Sequence, residues 1–224
     1  MFDRFRSSPD GDADADDGEY EAARERMART VAHRVADDRV LEALEAVPRH
    51  EFVPPDRRRN AYADRPLPIA DGQTISAPHM VAVMADRLDL EPGDEVLEIG
   101  TGCGYHAAVT AEIVGAEHVY SVEYGEDLAE QARERLAETG YDAVAVRVGD
   151  GRDGWPTHAP YDAAYVTCAT RELPEPVVEQ VRPGGRILAP VGAGHQTLVQ
   201  ADKREDGSLE RTEHGGVRFV QMRG

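Results

Sequence analysis

The sequence predicts an α/β protein with a doubly wound, mostly parallel sheet, an antiparallel edge and an N-terminal helical extension. Three observations carry this. From Asp94 onward short apolar runs alternate with helical patterns, and such alternation builds parallel βαβ units. One run, Val96–Ile99, empties into the glycine-rich turn Gly100-Thr-Gly-Cys-Gly-Tyr105 before a small-residue helix. Two strand-like runs near the end follow each other with no helix between them. The 224 residues suffice for one domain with additions. We expect an acidic tail at 1–18 and a single domain at 19–224, divided into helices and a loop at 19–93 and a sheet at 94–224.

Asp10-Gly-Asp-Ala-Asp-Ala-Asp-Asp-Gly18 is low-complexity and acidic, a composition that favours disorder. The next stretch, 19–36, reads as a helix with Met27, Val31 and Val35 at four-residue steps. A second helix, 38–47, stops at Pro48, because the residue before proline avoids the helical region. A proline-rich segment without periodicity then runs to Pro78. Long irregular loops in compact domains usually carry function, although a packed connector reads the same way. Because a helix at 79–88 leads from it into the glycine-turn strand, it is expected beside the ligand mouth. Strands are expected at 95–99, 118–122, 144–148, 161–167 and 186–191, with helices at 107–114, 126–139 and 174–182. The runs 196–201 and 216–222 should close one edge antiparallel.

Acidic residues number 43 against 25 basic, a net charge of −18, and Lys203 is the single lysine. Such a surface repels nucleic acid and anionic membranes. It fits a high-salt proteome, and equally a GC-rich genome. Cys103 and Cys168 make neither a disulfide framework nor a metal site. No apolar run approaches the ~18 residues of a membrane span, no apolar signal segment stands at the start, and a cytoplasmic location is expected.

The glycine turn is where a ligand belongs. Glycines there let the chain bend sharply and let a ligand approach the main chain, and the following helix offers free N–H groups. The dinucleotide fingerprint fails, since Tyr105 stands at its sixth position. The pattern is instead Glu98-x-Gly100-x-Gly102-x-Gly104. A carboxylate at Glu98 would repel a pyrophosphate and attract an ammonium or sulfonium group. A second strand ends in Glu123, 23 residues after Gly100, where a carboxylate accepts both hydroxyls of a ribose. A ribose, no phosphate and a positive charge describe S-adenosylmethionine. An ordinary βα turn would explain the glycines but not the acid at that spacing. Asp150, in Gly149-Asp-Gly151, ends a third strand and can accept from an adenine amino group, although Asp-Gly turns are common.

Thr74 and Ser76 are the candidate reaction groups. A carboxylate methyl acceptor is already ionised at neutral pH, so catalysis is mostly alignment and desolvation. Hydroxyls that hold a carboxylate without protonating it suit that task, and the same hydroxyls suit a helix cap before Pro78. The eight histidines show no metal spacing. His106 follows the glycine turn and is placed at the cofactor, whereas His50 and His79 read as packing or surface groups. An Asn/Asp-Pro-Pro-aromatic loop, used to methylate nitrogen, is missing after the fourth strand, where Val166-Thr-Cys-Ala-Thr170 stands.

The chain resembles the protein-L-isoaspartate O-methyltransferases over roughly residues 25–220. The matches are Val47-Pro-Arg-His-Glu-Phe-Val53, Ala61-Tyr-Ala-Asp64 with Pro66-Leu-Pro-Ile69, Gly72-Gln-Thr-Ile-Ser76 with Pro78, Val96 to Tyr105, Gly149-Asp-Gly151 with Gly154-Trp155, and Gly184-Gly185 through Pro190-Val-Gly192. The resemblance implies a Rossmann-like methyltransferase fold and a methyl ester placed on the α-carboxylate of L-isoaspartyl residues in damaged proteins. The ester then cyclises unaided to a succinimide, which hydrolyses partly to aspartate. Ser76 matches the family's active-site hydroxyl. Glu98, Gly100, Thr101, Gly102, Gly104, Tyr105, His106, Glu123, Asp150 and Gly151 are expected at the cofactor, S-adenosylmethionine, which leaves as S-adenosylhomocysteine. Tyr62, Asp64, Gln73, Thr74, Ile75 and Val220 are expected at the peptide. The sequence departs from the family at Ala70 (usually Gly), Cys103 (commonly Ser) and Gln221-Met222 (usually Pro-Leu). The expected partners are isoaspartyl proteins and peptides, with no nucleic acid, no membrane and a monomeric state. A methyltransferase acting on another carboxylate is the alternative.

Overall fold

A computed structural model describes residues 17–224. Most of the expected acidic tail, 1–16, lies outside the described residues, while Asp17 and Gly18 begin the first helix, α1 (Asp17–Val31). That helix ends five residues early, tightening into a 3₁₀ turn at Ala32–Arg34. Then come α2 (Asp38–Ala46), capped by the Asp37 carboxylate on Arg39 N, and α3 (Pro78–Leu88). Between them the proline-rich segment is mostly 3₁₀ turns. It also holds a small antiparallel pair that periodicity could not reveal, β1 (Leu67–Pro68) with β2 (Thr74–Ile75).

The main sheet contains β3 (Val96–Ile99), β4 (Val119–Glu123), β5 (Ala145–Val148), β6 (Tyr161–Val166), β7 (Val181–Val191), β8 (Gln196–Lys203) and β9 (Leu209–Val217). Its order is β5-β4-β3-β6-β7-β8-β9. The first five are parallel and the last two antiparallel. Helices α4 (Tyr105–Val114), α5 (Glu126–Glu138) and α6 (Glu175–Gln180) supply the crossovers. The chain winds outward from β3 to β5, then returns to β6 on the other side of β3. Ligands of open α/β sheets bind at such a switch point, beyond the carboxyl ends of the strands, and the glycine turn lies there.

Two cores cover the two faces. Helices α1 to α4 pack one face through residues such as Val31, Leu44, Val81 and Val109. The other face buries Leu97, Val122, Ala164, Val177 and Ile187. The final strand differs from expectation: it runs 209–217, not 216–222. Its Leu-Glu-Arg-Thr-Glu-His pattern is polar on both sides because β9 is an exposed edge, where charge discourages further pairing. Residues after Val217 leave the sheet and return across the switch point, where Ala169 N donates to Val220 O and Met222 N to Ala169 O.

Candidate active site

A cleft of about 780 Å³, measured out to its open mouth, occupies the switch point. Beside it runs a groove walled by Pro66, His79, Met80, His195, Arg218 and Phe219. Cleft and groove share Thr74, Ser76, Thr167 and Val220.

The glycine turn forms the cleft floor. Gly100 has φ +97°, and a Cβ there would run into the Thr167 hydroxyl, which donates to Gly100 O at 2.5 Å. Only glycine lets β3 turn this close to β6. Glu123 receives Gly102 N on one carboxylate oxygen at 2.9 Å and Gly125 N on the other at 3.0 Å. Each oxygen keeps acceptor capacity for a ligand hydroxyl. Thr101, Tyr105, His106 and Gly151 line the cleft, together with Gln73 and Ile75. Tyr105 is fully buried, and burial pushes its phenol up to about 12. Both ring nitrogens of buried His106 lack a partner, and burial drives its pKa down to about 3, so the ring is neutral.

Glu98 requires a correction. It is wholly buried and absent from the cleft wall, while the next residue, Ile99, lines it. Parallel register sets Glu98 between Ser121 and Tyr165. Ser121 Oγ donates to its carboxylate at 2.5 Å and lies 2.6 Å from Thr101 Oγ1. Burial raises its pKa to about 8, so it is a poor lure for a cation at neutral pH. It anchors the glycine turn from beneath through Ser121 and Thr101. Below the ordinary carboxyl range folded and unfolded chains both hold this proton, and as pH rises the unfolded chain releases it first. The associated stability is therefore present at acid pH and lost as pH climbs through about 8. Glu98→Gln, which cannot ionise, should lose less melting temperature than wild type between about pH 5 and about pH 9. Parallel pH profiles for the two proteins would contradict this.

Four other expected residues stand back from both walls. Gly104, at φ +92°, is the N-cap of α4, and a Cβ there would press on Leu136 at 3.1 Å; its task is packing against α5. Asp150 is held by Arg152, with contacts of 2.5 to 3.1 Å, and caps Arg152 N. That guanidinium holds its carboxyl below the usual range. The Tyr62 hydroxyl meets His50 Nδ1 at 2.7 Å. Asp64 accepts from His79 N at 2.9 Å and meets His79 Nδ1 at 2.7 Å. Asp64 thus caps α3 from 15 residues away and supports the groove rather than lining it.

This leaves Ser76 free. The N-cap of α3 is Ala77, with no side-chain cap bond. Among the described residues, the Ser76 hydroxyl has no hydrogen-bond partner. Sequence reasoning missed Thr167, Cys168, the half-exposed Tyr124 and the tail residue Arg223, all on the cleft wall. Arg223 Nη2 donates to Asp71 O at 2.5 Å, tying the tail to the segment before Ser76. The departures Cys103, Gln221 and Met222 line the cleft and not the groove.

The cleft fits a nucleoside with a charged tail: carboxylate oxygens at Glu123, close main-chain approach at Gly100, and unpaired polar atoms on buried His106. Fold and site define an S-adenosylmethionine-dependent methyltransferase. The family model for protein-L-isoaspartate(D-aspartate) O-methyltransferase matches residues 22–224. The chain belongs to that family. Protein-L-isoaspartate O-methyltransferase 2 of Archaeoglobus fulgidus is 52% identical over 208 residues, covering 92% of this chain and 95% of its own. The Methanopyrus kandleri protein-L-isoaspartate O-methyltransferase is 50% identical over 214 residues, covering 93% and 95%. A solved protein-L-isoaspartate O-methyltransferase aligns with TM-score 0.82 at 30% identity, over 90% of this chain and 66% of its own. A Plasmodium falciparum structure, with S-adenosyl-L-homocysteine, shares the fold at TM-score 0.79 and 24% identity over 91% of this chain and 98% of its own.

Proposed function

We propose that the cleft takes S-adenosylmethionine, that the groove takes the damaged peptide, and that Ser76 works at their junction. The activity is methyl transfer to the α-carboxylate of L-isoaspartyl residues in proteins and peptides, beginning their repair. One observation carries the assignment of sites: Thr74, Ser76, Thr167 and Val220 line both spaces. When bound, S-adenosylmethionine supplies an electrophilic methyl group on its sulfonium. Glu123 accepts the ribose hydroxyls, and Gly100 and Gly102 offer the main chain. Gly151 and the ring of Tyr124 flank the adenine, and Asp150 joins them only if Arg152 moves aside. The hydroxyls of Ser76 and Thr74 hold the substrate carboxylate without protonating it. Ile75, Val81, Ile99 and Val122 give the cleft an apolar lining, which excludes water from the reacting groups. Gln73 and Val220 frame the peptide.

Because Gln221 and Met222 face the cleft, the departure from Pro-Leu leaves the peptide wall intact, and no observation favours another carboxylate substrate. The chemistry has a distinctive readout. Label from S-adenosylmethionine placed on an isoaspartyl peptide should be released as volatile methanol at mildly alkaline pH, as an ester beside a cyclising amide requires. Label that stays on the peptide would contradict carboxylate methylation.

We further infer a single working domain at 19–224, acting as a monomer in a salt-rich cytoplasm. Two facts support this. Among the described residues the exposed large apolar side chains are Tyr124 and Val148, and no described helix is long and apolar enough to cross a membrane. A net charge of −18 repels itself in the compact state. Raising KCl from about 0.1 M to about 2 M should therefore raise the melting temperature; a flat response would leave genome composition as the source of the charge.

A further inference from the structure

Arg49 lies in the Val47-Pro-Arg-His-Glu-Phe-Val53 segment, which contributes nothing to either cavity wall. It is nevertheless completely buried. Its Nε donates to Ala61 O and its Nη2 to Ser76 O, each at 2.7 Å. Its Cζ stands 4.6 Å from the centroid of the Tyr105 ring. Its Nη1 and the Tyr105 hydroxyl make no well-formed hydrogen bond, although the two side chains interact. Burial lowers its pKa, and the groups acting against that are Tyr105, Cys103 and Tyr62, with no carboxylate among them.

Buried guanidinium groups ordinarily come with an acid. This one uses its planar fork on two main-chain carbonyls instead, a geometry lysine cannot reproduce. The carbonyls belong to the residue before Tyr62 and to Ser76 itself. The ring belongs to the first turn of α4, which walls the cleft. Arg49 thus joins the peptide-side loop, the reaction residue and the cofactor helix at one point.

We propose that Arg49 is a positioning residue: its fork fixes the backbone of Ser76 against the cleft wall, and its uncompensated charge favours a carboxylate held in front of Ser76. The proposal rests on the role given to Ser76 above. The two parts act on different constants. Misdirecting the Ser76 hydroxyl lowers turnover. The charge acts on binding, because methyl transfer turns the carboxylate into a neutral ester. A fixed cation therefore stabilises the bound substrate at least as well as the transition state, and contributes to KM rather than kcat.

The test compares Arg49→Lys, which keeps the charge and loses the fork, with Arg49→Gln, which loses the charge. S-adenosylhomocysteine titration is the check on folding. Arg49→Lys should lower kcat on an isoaspartyl peptide about ten- to a hundredfold with KM nearly unchanged, and Arg49→Gln should add a roughly five- to twentyfold rise in KM. Adding Ser76→Ala to Arg49→Lys should cost no more than about threefold further, because residues acting as a unit are not additive. Unchanged kcat and KM in a variant that binds S-adenosylhomocysteine would overturn the proposal, as would a full multiplicative loss in the double variant. If neither variant binds S-adenosylhomocysteine, Arg49 is a structural staple and the proposal fails. A wild-type enzyme inactive on the peptide would overturn the repair reading itself, a distinct result.

Discussion

Ser76→Ala should reduce kcat/KM on an isoaspartyl peptide by roughly ten- to a thousandfold, the range for losing one positioning or charge-stabilising hydrogen bond. Cofactor affinity should stay nearly intact, because Glu123 and the glycine turn lie on other strands. The fold should be nearly unaffected as well. A helix cap would cost about 1 kcal/mol on removal, but α3 is capped at Ala77 without a side-chain bond and by Asp64 from a distance. The Ser76 carbonyl, held by Arg49 at 2.7 Å, survives the substitution. Steady-state kinetics and a thermal melt on one preparation check both halves. A variant that turns over normally would move the reaction role to Thr74 or Thr167, the other hydroxyls shared by cleft and groove.

Glu123→Ala should weaken S-adenosylmethionine binding ten- to a hundredfold, about 1.5–3 kcal/mol, as hydrogen bonds to a charged group are lost. The structure gives the loss a second component. The same carboxylate holds Gly102 N and Gly125 N, so its removal also frees the glycine turn. Glu123→Gln should give a smaller loss, since its amide oxygen keeps one main-chain N–H and can still accept one ribose hydroxyl, while its NH₂ can accept neither. Unchanged calorimetric titration of Glu123→Ala would refute the ribose assignment.

These residues were legible because they follow from local geometry. A glycine turn after a strand and an acid at the end of the next strand recur at fixed spacing, so Gly100, Gly102 and Glu123 could be placed from sequence. Glu98 could be assigned to a strand end but not to a face. Side chains alternate along a strand, and Ile99, not Glu98, points into the cleft. Asp64 stood in a recognisable motif, yet its task is to cap a helix 15 residues away, a tertiary contact with no periodic signal. Asp150 sits in a motif that leaves it open to adenine, but its neighbour Arg152 occupies it. β9 escaped because an exposed edge strand need not alternate apolar with polar residues. Thr167 stands in a stretch marked in sequence only by the motif it lacks. Its role depends on β6 lying beside β3, which brings its hydroxyl to Gly100 O. Arg49 was part of a specific motif whose purpose depends on three segments meeting.

The most direct test of the central claim is transfer of labelled methyl from S-adenosylmethionine to a pair of peptides identical except for one residue, L-isoaspartyl in one and L-aspartyl in the other. A groove that presents the free α-carboxylate of an isoaspartyl residue to Ser76 predicts robust labelling of the isoaspartyl peptide and background labelling of its twin. Equal labelling of both, or labelling of neither, would contradict the account.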